Sequence, residues 1–190
     1  SMGTLFQTIF SQDAPELRML GQMGYDATTF GNHEFDFRPE GLAGSLLAAK
    51  ASGERLPQLV AANLVFPQDD QGNIIGEDLQ VLQKAMQEYG VKDYIVIDRK
   101  GYKIGIFGII GKNAVSNAPM AGVEFIDPVK AAREAVDKLE KQEKVDMIIC
   151  LSHSGTDKDF DKSEDVILAR KVPEIDVIIS GHSHTTLHQP

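Results

Sequence analysis

The chain has one cysteine, Cys150, and no tryptophan in 190 residues. A lone cysteine excludes any intrachain disulfide, so the fold must rest on its own core. A chain of this length buries well over half of its unfolded surface in one domain, so no staple is required. Lys and Arg are scarce beside Asp and Glu, 19 against 28, and the formal net charge is −9. Nucleic acids and anionic membranes are bound through Lys/Arg footprints, so this balance argues against both as partners. A small phosphorylated substrate stays possible, because local cations, metals included, override the global charge. No apolar run approaches the roughly 18 residues that a membrane span requires. There is no internal repeat and no low-complexity tract.

Helical and strand-like segments alternate, which predicts an α/β architecture. Asp13-Ala14-Pro15-Glu16 reads as a helix start with Asp13 as N-cap, and Leu17, Leu20 and Met23 on one face, stopped by Gly24. Asp26–Phe30 reads as a short strand, and Pro39 opens a helix that Gly53 ends. Gln58–Ala62 is a short buried strand, residues 66–76 a loop, and Glu77–Tyr89 a helix set apart from the main sheet. A hairpin follows, from Tyr94–Asp98 through Arg99-Lys100-Gly101 to Tyr102–Ile110. Asp127-Pro128 starts a long helix ending near Lys144. Val145–Leu151 and Ile175–Ser180 read as buried strands, with a helix at Ser163–Lys171 between them.

Three of these strands run directly into Gly- and His-rich turns: Gly31-Asn32-His33-Glu34, Ser152-His153-Ser154-Gly155 and Gly181-His182-Ser183-His184. Ligand sites in α/β sheets lie at the carboxyl ends of strands, so the three turns are expected to converge. Four of the five histidines, His33, His153, His182 and His184, sit there. Neutral imidazole binds divalent first-row metals, and the amide oxygen of Asn32 is a hard donor suited to the same kind of ion. His182 and His184 can splay in a turn and so serve two ions a few ångströms apart, the arrangement of two-metal hydrolases. His33 and Asp36 are three apart and share a face of a helical turn. A carboxylate there fixes the imidazole tautomer and makes a proton donor for a leaving alkoxide. Glu34 is expected to face a neighbour in its turn, and Cys150 to be packing. Asp157, Asp159 and Asp161 alternate as Ca²⁺ ligands do, but no EF-hand Gly and Glu follow, so they read as a solvated loop. His188 lies near the end of the sequence, reads as part of a disordered terminus, and falls outside the described residues.

Gly31-Asn-His-Glu-Phe-Asp36 resembles the signature of the calcineurin-like metallophosphoesterases. The longer run Gly24–Asp36, then Ala62-Asn63-Leu64, Leu151–Gly155 and Ile179–His184, is similar in order to the 5′-nucleotidase, UDP-sugar hydrolase and 2′,3′-cyclic phosphodiesterase branch. The resemblance implies a four-layer α/β/β/α sandwich and a phosphoric ester hydrolase acting on nucleotides. It implies divalent ions (Zn, Mn, Fe, Ni or Co), with Asn32, His153 and His182 on one and His184 on the other. His33, paired with Asp36, would assist the leaving group. The reading keeps two alternatives: a hydrolase of another ester, such as a cyclic nucleotide or sulfur conjugate, and a non-catalytic surface module that keeps the fold.

The family's first strand carries Asp-x-His, and a Gly-Asp motif follows; neither occurs here. Residues 1–190 are therefore expected to be a catalytic domain lacking its first strands, without the C-terminal nucleotide-binding domain of such enzymes. Such a fragment should bind at most one ion, have weak activity or none, and cover the gap with a swapped strand or a homodimer. The resemblance also implies an exported or cell-surface location.

Overall fold

The computed structural model describes residues 9–186. The chain runs α1 (Phe10–Asp13), α2 (Pro15–Gln22), β1 (Ala27–Thr29), a 3₁₀ turn (Asn32–Phe35), α3 (Arg38–Ala51), β2 (Gln58–Val60) and β3 (Leu64–Val65). It continues α4 (Glu77–Tyr89), β4 (Tyr94–Arg99), β5 (Tyr102–Ile110), α5 (Lys112–Ser116), β6 (Glu124–Phe125) and α6 (Pro128–Lys138). After a wide turn at Leu139–Glu143 come β7 (Met147–His153), α7 (Glu164–Lys171) and β8 (Val177–Ser180).

The layers follow from the alternation of side chains along the strands. The main sheet has the order β4-β5-β7-β8, antiparallel at the hairpin and parallel elsewhere. In β5, Phe107 and Ile109 face one side, where α6 and α7 cover them together with Ile148 and Cys150 of β7. Ile104 and Ile106, with Ile149 and Leu151, face the other side and meet Ala27 and Val60 of the parallel β1–β2 pair. The far side of that pair is covered by α2, α3 and α4 through Phe30, Leu42, Leu46, Leu59 and Leu82. The period of two thus gives helices, sheet, sheet and helices, the expected four-layer sandwich. β3 and β6 form a small antiparallel pair outside these sheets.

Local signals explain most boundaries. Asp127 caps α6, its Oδ1 accepting the N–H groups of Val129 and Lys130 at 3.0 and 3.1 Å. Lys100 and Gly101, with φ of 56° and 88°, make the two-residue turn whose left-handed backbone conformations match the right-handed twist of the flanking strands. The Asn63 amide is buried, donating to the Ile110 carbonyl at 2.8 Å and accepting the Ile110 N–H at 3.0 Å. It stitches the end of β5 to the chain entering β3.

Two sequence expectations are corrected. Asp13 is not the cap of α2: it ends α1, and its carboxylate turns to Arg18 at 3.0 Å, leaving Ala14 at the helix start with φ of 45°. Helix α4 does stand apart from the main sheet, and it packs on α3 instead, where Leu79, Leu82 and Met86 share one core with Phe30. β8 is not a buried strand: it lies at the edge of the main sheet, with Val177 40% and Ile179 56% exposed. Its apolar sequence reads the same in either position.

Candidate functional site

The 3₁₀ turn after β1 brings Asn32 inward, and the amide is almost fully buried. Its Oδ1 lies 3.0 Å from Nε2 of His153, the last residue of β7. The His153 and His182 rings have centroids 5.0 Å apart. The three strand ends therefore meet, as the sequence predicts. His33 Nδ1 lies 2.8 Å from Asp36 Oδ2, with both side chains partly exposed. His184 follows His182 in the same turn, and both have positive φ, 52° and 84°.

Close packing sets this geometry. A methyl on Gly31 would lie 2.7–2.9 Å from three atoms of the His153 ring, so the ring rests against the Gly31 backbone. The Gly31 N–H donates to Glu34 Oε2 at 2.6 Å, so Glu34 does face its own turn. On the other side, Gly155 adopts φ of 92° and packs against Ser183, whose Oγ accepts the Thr156 N–H at 3.0 Å. The β7 and β8 turns are thereby interlocked.

Burial decides the charge state of the central rings. Desolvation pulls His153 down to about 4, partly countered by the Glu34 carboxylate. Desolvation also lowers His182. Both imidazoles are therefore neutral near pH 7 and each carries a lone pair on one nitrogen.

Sequence reasoning missed three residues. Asp165 is buried between the two turns, accepting Ser152 Oγ at 2.6 Å and the Ser180 hydroxyl. Ser154 Oγ lies 2.8 Å from Ser152 Oγ, and the one Ser152 proton goes to Asp165, so Ser154 donates to Ser152. Burial raises the Asp165 carboxyl above its ordinary range. Glu164 Oε2 and Oε1 accept the Lys112 and Asn113 N–H groups at 2.7 and 2.9 Å, and so cap α5. Asn113 Oδ1 in turn lies 2.9 Å from His182 Nε2. The available signal was Ile110-Gly111-Lys112-Asn113, a fourth apolar strand ending in glycine and a polar side chain.

Asp165→Ala should orphan the buried Ser152 hydroxyl, at a cost of about 1–3 kcal/mol, while the exposed Ser180 hydroxyl can turn to water. A loss of about 2 kcal/mol in urea unfolding is expected, and a loss below about 1 kcal/mol would contradict the network. The sign with pH is also set. The raised carboxyl binds its proton more tightly folded than unfolded. Its contribution to stability is therefore largest below the unfolded value and falls as pH rises toward the folded one.

Among the described residues, no cluster of three or more His, Cys, Asp or Glu side chains stands at metal-binding distance. The converging set is two imidazoles and an amide.

The chain is 33% identical over 181 residues to the trifunctional nucleotide phosphoesterase protein YfkN of Bacillus subtilis, covering 90% of this chain and 12% of that protein. It is 34% identical to an apyrase of Tabanus yao, over 85% of this chain and 24% of the relative. The chain thus spans a quarter or less of the length of these relatives. Its fold matches the 5′-nucleotidase precursor of Thermus thermophilus with a TM-score of 0.72 and 29% identity, over 99% of this chain and 32% of that one. The calcineurin-like phosphoesterase family matches residues 13–186, and the chain belongs to that family.

Proposed function

We propose that this chain carries the metal-binding part of a hydrolase that cleaves phosphate esters of nucleotides with divalent ions. The observation that carries the reading is the meeting of Asn32 Oδ1 with His153 Nε2 at 3.0 Å, beside the His182 ring. Acceptor oxygen and imidazole nitrogen converge there from strand ends far apart in sequence, in a pocket that keeps both rings neutral. Two nitrogen donors and one oxygen donor fit a divalent first-row ion.

In this reading Asn32, His153 and His182 hold one ion, and His184 serves a second. Such ions supply Lewis-acid polarisation of the phosphoryl group and a more acidic water. The protein's own residues do the rest. Asp36 accepts the Nδ1 proton of His33, which fixes the ring and leaves Nε2 to carry a proton to the departing alkoxide. Gly31, Glu34 and the interlocked β7 and β8 turns keep the donors from moving when an ion leaves. The name of the YfkN relative supports a nucleotide as the substrate. No helix among the described residues is long and apolar enough to cross a membrane. An extracytoplasmic location is part of the proposal, resting on the resemblance alone.

The test is metal content by mass spectrometry after dialysis against Mn²⁺, Co²⁺ or Zn²⁺, with phosphate release from AMP measured in parallel. One ion per chain and weak, metal-dependent turnover are expected, with retention lost in His153→Ala. No retained ion under any of the three metals would overturn the reading. Two tightly held ions would overturn the division of ligands.

A further inference from the structure

The tautomer of His182 is set by a chain of amide contacts. The Asn117 amide nitrogen Nδ2 lies 2.9 Å from the main-chain carbonyl oxygen of Asn113. A carbonyl oxygen only accepts, so this contact fixes which end of the Asn117 amide is the nitrogen. The same Nδ2 lies 3.3 Å from Asn113 Oδ1. A donor there requires an acceptor opposite, so it also fixes the Asn113 amide, with its oxygen toward Asn117 and His182. His182 Nε2, 2.9 Å from that oxygen, must then be the protonated nitrogen. A neutral imidazole has one N–H, so Nδ1 is left with the lone pair.

The amide is held in place from the other side as well. Glu164 accepts the main-chain N–H of Asn113 and that of Lys112, so the residue's backbone cannot drift. Gly111 admits no larger residue, because a methyl there would lie 2.6 Å from Ser154 Cα and run into the Glu164 carboxylate. Helix α5 therefore presents Asn113 to the β8 turn as a fixed acceptor.

We infer that Asn113 is a positioning residue, which holds His182 in the Nε2–H form and so offers Nδ1 to a divalent cation. The inference rests on the metal role proposed for His182. Oriented outer partners of ligand histidines matter typically by 10–100-fold in metal affinity. Asn113→Leu, which removes the acceptor, should weaken Co²⁺ affinity by roughly that factor. Asn113→Asp keeps an acceptor oxygen at the same place and should stay within a few-fold. Asn117→Ala frees the Asn113 amide to rotate and should fall between the two.

The deciding experiment does not need metal. Long-range ¹H–¹⁵N correlation spectra of the metal-free protein at pH 8 report which His182 nitrogen carries the proton. The wild type and Asn113→Asp should show Nε2–H, whereas Asn113→Leu should show a mixture of tautomers. An Nδ1–H form in the wild type overturns the inference, whatever the variants do. So does an Asn113→Leu protein that keeps both the tautomer and the Co²⁺ affinity. An Nε2–H wild type that binds no Co²⁺, Mn²⁺ or Zn²⁺ leaves the amide relay standing but overturns the offer of Nδ1, and with it the metal reading. An Nδ1–H wild type that binds Co²⁺ spares the metal reading and removes Asn113 from it.

Discussion

Gly31→Ala is expected to lower divalent-metal affinity about 100-fold while leaving the protein folded, the range seen when groups that orient metal ligands are removed. The backbone at Gly31 is extended, with φ of −113° and ψ of −175°, which any residue adopts. The added methyl is therefore harmful for one reason only, its position 2.7 Å from Cε1 and 2.8 Å from Nε2 of His153. Real Cβ atoms essentially never come within 3.0 Å of a neighbour, so something must shift. The methyl is attached to main chain that Glu34 holds through the Gly31 N–H, so the ring is the part that moves. A ring displaced from that position would lose its contact with Asn32 and its packing beside the His182 ring. Calorimetric titration with Co²⁺ would read the effect, with circular dichroism as the fold control. An unchanged affinity in a folded Gly31→Ala protein would mean that His153 does not hold an ion from this position.

Gly108→Ala should cost about 3 kcal/mol of stability, at the upper end of ordinary overpacking. For a chain of this size that lowers the melting temperature by roughly 6–12 °C. Gly108 lies on the inner face of β5, and its Cβ would run into the Val60 carbonyl group and Thr29 Oγ1. These atoms are already joined to each other, since Thr29 Oγ1 donates to Val60 O at 2.8 Å. Neither can retreat without separating β1–β2 from the main sheet. Gly105, three residues earlier on the same strand, provides the comparison. Its Cβ would meet the Leu139 side chain at 2.6 Å, on the opposite face. A leucine tip can change rotamer, so Gly105→Ala should cost about 1 kcal/mol. Equal costs for the two substitutions in urea unfolding would show that the sheets are not as closely packed at Gly108 as this geometry has them.

Much of the fold is legible in the sequence where local signals agree. Glu77–Tyr89 is a helix because Leu79, Leu82 and Met86 recur at helical spacing between Gly76 and Gly90. The hairpin at Lys100-Gly101 and the Asp127 cap are equally local. What fails is anything decided by a distant neighbour. Asp13 looks like a cap, but Arg18 takes its carboxylate. β8 looks buried, but nothing among the described residues pairs with its outer side. The site divides the same way. Asn32, His33, Asp36, His153, His182 and His184 stand out because imidazoles and glycines cluster at strand ends. Their metal and proton-transfer roles remain proposals, though the turns that carry Asn32, His153 and His182 do meet. Asn113 is 69 positions from His182, and Asp165 is an ordinary first-turn acid on α7, so only the folded chain reveals what either touches.

His182 and His184 sit where the backbone would suit glycine, at φ of 84° and 52°. Left-handed conformations disfavour most side chains, although histidine tolerates them better than bulky or branched residues do. The loop is thus a compromise between holding imidazoles and folding easily. A redesign guided by stability alone would consider glycine at these two positions, and in doing so would remove half of the strand-end histidines.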